Sequence, residues 1–161
     1  MLKKIKKILK KKNKKKIVCL TAYSKNISNI LDKYCDIVLV GDSMANVLYG
    51  MKNTHKISLE TIIQHSLSVK KGIKKSLMIV DMPKGSYRNP IQAKKNAKLI
   101  FKKTKCYAVK IESNNKNFKI IKEITKANIP IMGHIGYTPQ FKKKFKALGL
   151  NKNEENKLIH E

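Results

Sequence analysis

Leu77-Met78-Ile79-Val80-Asp81-Met82-Pro83 decides the fold of this chain. Near-continuous apolar character in so short a run fits a strand buried on both faces. The run ends on a carboxylate, and Met82-Pro83 starts a turn. The same pattern recurs on either side of it. Ile37-Val38-Leu39-Val40 leads into Gly41-Asp42-Ser43, and Ala108-Val109 leads into Lys110-Ile111-Glu112. Ile129-Pro130-Ile131-Met132 leads into Gly133-His134, and an earlier apolar run covers Ile17 to Ala22.

Helical periodicity fills the gaps between these strands. Ile27, Ile30 and Leu31 share one face of a helix expected over 26–33. Ser58 is placed to cap a helix carrying Leu59, Ile62, Ile63 and Leu67, with Gly72 as its stop signal. Pro90 suits the first turn of a helix reaching about Lys103, and another is expected over 117–126. A last helix follows Leu150, capped by Asn151 or Asn153, with Glu154 and Glu155 near its positive end. Residues 44–55 read as loop. The resulting βαβαβαβαβα order implies one domain over 1–161, a parallel sheet with helices outside. Residues 1–16 form a basic amphipathic segment whose Leu2, Ile5, Ile8 and Leu9 make a narrow apolar stripe. A stripe needs a partner, so a helix laid over the end of a barrel is preferred to a free anion-binding arm.

Four strand ends carry Asp42, Asp81, Glu112 and His134, and sites of βα folds lie at such ends. Alternation along a strand puts Lys110 and Glu112 on one face, with Val109 and Ile111 on the other. Charges pointing into a barrel need partners. A divalent cation held by Asp42, Asp81 and Glu112 would neutralise the acids, and oxygen-only ligands suit magnesium or manganese. Each residue also has an ordinary role open to it. Asp42 suits a helix cap and Asp81 a turn, and Ser43 is equally ordinary. Lys110 and Glu112 suit an exposed edge, and His134 suits a bond to a backbone carbonyl. Their coincidence at four strand ends favours a site. No nucleophile triad, Walker loop or GxGxxG pattern accompanies them.

Composition sets the wider bounds. The 161 residues suffice for a core, and 42% are hydrophobic. The formal charge of +27 suggests nucleic acid or an anionic membrane. However, the cations are lysines apart from Arg88, and they are spread over the expected helices. Abundant Asn and Ile beside them fit a coding bias toward A and T, so no specific nucleic-acid partner is expected. Cys19, Cys35 and Cys106 lack CxxC spacing and read as buried free thiols of a reducing compartment. No apolar stretch reaches the ~18 residues of a membrane span, and no signal-peptide core is present. A soluble cytoplasmic protein is the expectation.

Five segments together resemble the ketopantoate hydroxymethyltransferase family. They are Leu20-Thr21-Ala22-Tyr23, Val40-Gly41-Asp42-Ser43, Val80-Asp81-Met82-Pro83 with Ser86-Tyr87, Val109-Lys110-Ile111-Glu112, and Met132-Gly133-His134-Ile135-Gly136-Tyr137-Thr138-Pro139-Gln140. They occur in the family's order and roughly its spacing. The resemblance implies an α/β fold of the (β/α)8 TIM-barrel family, with the N-terminal five βα units present as an incomplete barrel. It implies hydroxymethyl transfer from methylenetetrahydrofolate to 3-methyl-2-oxobutanoate, giving 2-dehydropantoate for pantothenate biosynthesis, in a homo-oligomer. It assigns Mg2+ to Asp42, Asp81 and Glu112, the substrate to Asp42, Ser43, Asp81 and Lys110, and a site-lining place to His134. The family's general-base glutamate lies on a sixth strand beyond this chain, so no catalytic residue is assigned, and 161 residues alone are expected to give no turnover. Family positions are replaced at Lys84-Gly85, Ser113-Asn114 and Phe141-Lys142-Lys143-Lys144. Two other function classes remain: a non-catalytic remnant or basic nucleic-acid-binding protein, and another magnesium enzyme acting on 2-oxo acids.

Overall fold

The computed structural model describes residues 2–113, 117–142 and 147–160. Its centre is a five-stranded parallel sheet in chain order: β1 (Cys19–Thr21), β2 (Ile37–Val40), β3 (Leu77–Asp81), β4 (Ala108–Glu112) and β5 (Ile131–His134). Parallel neighbours need crossovers, and a sheet that always advances in one direction is the winding of a (β/α)8 barrel. Five units of that barrel are present. The helices are α1 (Leu2–Leu9), α2 (Lys25–Leu31), α3 (Met44–Val47), α4 (Leu59–Gly72), α5 (Pro90–Thr104), α6 (Phe118–Lys126) and α7 (Lys152–Ile159). Two 3-10 turns, Thr54–Lys56 and Pro139–Phe141, lie in the connections.

Local chemistry starts the helices where it was expected. Ser58 accepts from the Thr61 amide, Asn89 ahead of Pro90 accepts from Gln92, and Asn151 accepts from Glu154. Residues 44–55 differ from the loop reading: α3 and a 3-10 turn occupy them, because Met44 and Ala45 are apolar enough to bury completely.

The two faces of the sheet bury different layers. Val38, Val40, Met78, Val80, Val109 and Ile111 point outward into the helices, against residues such as Ile62, Ile63, Ala97 and Ile124. Ile37, Leu77, Ile79 and Ala108 point inward, joined by Leu39, Tyr107 and Met132. Along the inner face, Leu39, Ile79 and Ala108 stand in register. The next register is Asp81, Lys110 and Met132, and beyond it Glu112 faces His134. The inner face therefore turns from apolar to charged toward the carboxyl ends of the strands.

Helix α1 packs on the apolar end of this face through Ile5 and Ile8. Lys4 Nζ donates to the carbonyls of Lys74 and Lys75 at 3.3 Å, and Lys11 pairs with Asp36. The basic segment thus lies over the amino ends of the strands. The helix stops at Leu9, well short of residue 16. Residues 10–16 carry no apolar side chain to bury, and Asn13 turns the backbone to φ 60°.

Packing corrects one sequence expectation and adds a second role to another residue. Cys19 is exposed because β1 is a sheet edge, whereas Cys35 and Cys106 are buried. Gly72 is the last residue of α4 and serves contact as much as termination: a Cβ there would meet Ser28 Oγ at 2.2 Å and the Lys25 carbonyl at 2.4 Å. The second atom is backbone, so α2 would have to move. Gly72→Ala is therefore expected to lower stability by about 3 kcal/mol, measured by denaturant unfolding; a loss below about 1 kcal/mol would show that the helices yield freely. Among the described residues, no helix is long and apolar enough to cross a membrane.

Candidate active site

The carboxyl ends of β2, β3 and β4 bring Asp42, Asp81, Lys110 and Glu112 together. The three acids are buried, between 3% and 6% exposed. Lys110 Nζ donates to Asp81 Oδ1 at 3.0 Å, and the Asp42 amide donates to Asp81 Oδ2 at 3.1 Å. Asp81 is thus the hub: it binds the lysine with one oxygen and the start of the next loop with the other. The alternating pair on β4 does point inward, as expected, and is not an exposed edge. His134 lines the rim, its Nδ1 3.9 Å from Glu112 Oε1. That nitrogen is buried and, among the described residues, has no hydrogen-bond partner, a backbone carbonyl included.

Gln140, on the turn after β5, closes the cluster. Its main-chain amide donates to both Glu112 oxygens at 3.1 Å. Its side-chain Nε2 donates to Asp42 Oδ2 at 2.7 Å and to the Met82 carbonyl at 3.1 Å. Tyr87 donates its hydroxyl to Gln140 Oε1, which fixes which end of the amide faces Asp42. Gln140 and Tyr87 are 3% and 5% exposed. Both lie within the motifs that carried the resemblance, but neither was singled out as a site residue, since no spacing connects position 140 to position 42.

Ser43 is held from the opposite side. Its hydroxyl is 2.8 Å from the Tyr23 hydroxyl, just after β1. His65 Nδ1 donates to the Tyr23 carbonyl at 2.7 Å, and Tyr49 donates its hydroxyl to His65 Nε2 at 2.8 Å. A carbonyl can only accept, so this chain of bonds selects one tautomer of His65. Tyr23 is the link that orients Ser43 beside Asp42.

Burial dominates the electrostatics. It pushes Asp42 up to about 6, with the Asp81 charge adding to the rise and the Gln140 amide opposing it. It pushes Glu112 up to about 7 despite the Gln140 main-chain amide, and Asp42 and Asp81 add to that rise. Asp81 is also raised by burial, against the pull of Lys110. Burial and the Lys110 charge both lower His134. Between about pH 4 and pH 7 the folded chain therefore holds more protons on Asp42 and Glu112 than the unfolded chain, and stability falls as pH rises through that window. His134 acts in the opposite direction below its ordinary value of 6.5. We expect the metal-free melting midpoint to be about 5 °C higher at pH 5 than at pH 7.5, as read by calorimetry. A midpoint that rises steadily to pH 7.5 would contradict the burial of these acids.

Three carboxylates face one ammonium here, and the surplus matches the charge of a divalent cation. Carboxylate oxygens suit magnesium, which is held by one or two acids with water and substrate oxygens completing its octahedron. Asp42 and Asp81 fit that mode. Glu112 stands beside them, but both of its oxygens are bonded to Gln140, and among the described residues no three His, Cys, Asp or Glu side chains converge as a ligand set. Of the positions that depart from the resemblance, Asn114, Lys143 and Lys144 lie outside the described residues.

Comparison with known proteins places the chain in a family. Residues 2–161 match the family described as ketopantoate hydroxymethyltransferase. A 3-methyl-2-oxobutanoate hydroxymethyltransferase of Pelagibacter ubique (strain HTCC1062) is 53% identical over 159 residues, covering 99% of this chain and 62% of that protein. The enzyme of the same name from Chelativorans sp. (strain BNC1) is 45% identical, covering 83% of this chain and 48% of that protein. The chain thus spans between about half and three-fifths of the length of these relatives. In fold it is similar to phosphonopyruvate hydrolase, solved in complex with oxalate and Mg2+, with a TM-score of 0.63 at 9% identity over 74% of this chain and 47% of that one. The match along nearly its whole length and the barrel winding agree: this chain belongs to the ketopantoate hydroxymethyltransferase family.

Proposed function

We propose that the strand ends form the metal and 2-oxo-acid half of a hydroxymethyltransferase site. In the whole protein that site would transfer a hydroxymethyl group from methylenetetrahydrofolate to 3-methyl-2-oxobutanoate, giving 2-dehydropantoate on the route to pantothenate. The observation that carries this reading is the inner register of β3 and β4: Asp81, Lys110 and Glu112 stand above an apolar layer, with Asp42 bonded to Asp81.

Asp42 and Asp81 would hold magnesium, with Glu112 adding negative charge beside them. Bound there, magnesium would draw electron density from the keto group and ease loss of the neighbouring proton. Ser43, oriented by Tyr23, donates to the substrate carboxylate. Lys110 lies on the same face and supplies the opposite charge for it. Gln140 keeps Asp42 and Glu112 apart and in fixed orientation, so the acids need not reorganise when substrate arrives. The apolar layer of Leu39, Ile79 and Ala108 beneath keeps water from the floor of the site.

A homo-oligomer and a cytoplasmic location belong to the same reading. Exposed Ile27, Ile30 and Tyr34 around α2 support the first, and the buried thiols Cys35 and Cys106 support the second. The nucleic-acid reading gains no support from α1: its Ile5, Ile8 and Lys4, and Lys11 just beyond it, are engaged by the barrel end.

Thermal unfolding tests the site reading directly. Magnesium and 3-methyl-2-oxobutanoate together, at about 100 times their dissociation constants, are expected to raise the melting midpoint by about 5 °C or more. No shift at saturating concentrations of both would overturn it.

A further inference from the structure

Ser43 stands at the N-cap position of α3 but makes no capping bond. A serine there ordinarily turns its oxygen onto the helix amides. Here the hydroxyl is turned to the Tyr23 hydroxyl instead, 2.8 Å away. It also borders the acid cluster. A Cβ placed on Gly41 would meet Ser43 Oγ at 3.0 Å and Asp81 Oδ2 at 3.4 Å, so the two oxygens flank one small space. The bond from the Asp42 amide to Asp81 fixes the main chain of this loop. What that bond leaves open is the Ser43 rotamer, which has about three staggered choices.

Tyr23 makes the choice, and α4 holds Tyr23. The tyrosine packs partly buried against the outer core. His65 Nδ1 donates to its carbonyl at 2.7 Å, and the Lys25 amide donates to Ser68 Oγ at 3.1 Å. His65 and Ser68 lie one turn apart on α4, so one face of that helix grips the segment after β1 at two points. Tyr49 fixes the imidazole in turn. Its hydroxyl donates to Nε2 at 2.8 Å, and the two rings stand edge to face, 6.0 Å between centroids. With both nitrogens bonded, the ring cannot flip or change tautomer without breaking a contact. A line of contacts therefore runs from a half-exposed tyrosine, through a helix outside the sheet, to a hydroxyl at the strand ends. Each hydroxyl on that line has one proton to give. When Tyr23 donates to Ser43, the serine proton stays free for a ligand.

We propose that His65 is a positioning residue for the ligand carboxylate: it holds Tyr23 where the phenol donates to Ser43 Oγ, which leaves the serine proton for the acid. The proposal rests on the function proposed above, which brings a 2-oxo acid to Ser43.

The test is a double-mutant cycle, read by calorimetric titration of 3-methyl-2-oxobutanoate into the 161-residue chain in saturating magnesium. Tyr23→Phe removes a single oxygen. His65→Gln keeps an amide at the reach of Nε2, on the Tyr49 side, and loses the bond to the Tyr23 carbonyl. Each is expected to weaken binding of the acid about tenfold, while magnesium affinity, titrated separately, stays within about twofold of the native chain. His65→Asn places its amide at the reach of Nδ1 and should bind the acid within about threefold of the native chain. In a Ser43→Ala background neither Tyr23→Phe nor His65→Gln is expected to change affinity more than about twofold, because the group they orient is gone. A merely structural role would give the same loss with or without Ser43. Losses that persist in the Ser43→Ala chain, or no loss in the native background, would overturn the positioning role and leave the acid site standing. A native chain that binds no acid would overturn the function proposed above, and the positioning role with it.

Discussion

Replacing Lys110 by methionine is expected to weaken binding of 3-methyl-2-oxobutanoate about 30-fold while tightening binding of magnesium severalfold. The two effects have opposite signs because Lys110 does two things. In the proposed site it would supply positive charge for the substrate carboxylate, and its bond to Asp81 at 3.0 Å competes with any cation for that acid. Methionine keeps most of the side-chain length and its apolar contacts, so the change is chiefly one of charge. It also leaves Asp42, Asp81 and Glu112 buried with no ammonium among them. In metal-free buffer this should reduce stability by about 3 kcal/mol, most of it recovered when magnesium is added. Calorimetric titrations of each ligand, with melting curves in the presence and absence of magnesium, check both halves. Equal losses of metal and acid affinity would show that Lys110 merely props up the fold.

Gln140→Ala is expected to lower stability by about 3–4 kcal/mol, a large loss for one residue of a short turn. The side chain leaves behind a buried Tyr87 hydroxyl without its acceptor and a buried Asp42 oxygen without its donor. Each such orphan costs about 1–3 kcal/mol, and the vacated volume adds to this. The main-chain bond to Glu112 survives, so that acid should stay in place. Gln140→Glu separates geometry from charge. It keeps the shape but sets a carboxylate against Asp42. Near pH 5, where a shared proton can bridge the two acids, it should approach the wild type. At pH 8, where both are ionised, it should be at least as damaging as alanine. Urea unfolding at the two pH values reads this directly, and a Gln140→Glu variant indifferent to pH would mean that position 140 does not face Asp42.

The residues that were legible beforehand are those governed by short-range rules. The runs at 37–40 and 77–81 become β2 and β3 without a change of boundary, because uninterrupted apolar residues between turn formers leave few alternatives. Alternation alone put Lys110 and Glu112 on the same face, and the caps at Ser58 and Asn151 and the place of Pro90 in its helix follow from side-chain chemistry. What escaped depends on contacts between distant segments. Gln140 reaches Asp42 across 98 positions, and only the folded barrel end brings the turn after β5 over the loop after β2. Gly72 does end its helix as expected, but its contact with the backbone of α2 leaves no local trace. Cys19 is apolar enough for a core strand, but its position at the sheet edge decides its exposure. Met44 and Ala45 begin a helix of a single turn, too short to show a period.

The central claim is that Asp42 and Asp81 form one half of a cation site whose other half is the 2-oxo acid itself. The most direct measurement is a calorimetric titration of 3-methyl-2-oxobutanoate into the chain with and without magnesium, repeated on Asp81→Asn. We predict that magnesium tightens binding of the acid at least about tenfold in the wild type, a coupling of about 1.4 kcal/mol, and that Asp81→Asn abolishes this coupling. An affinity for the acid that is the same with and without magnesium would contradict the claim.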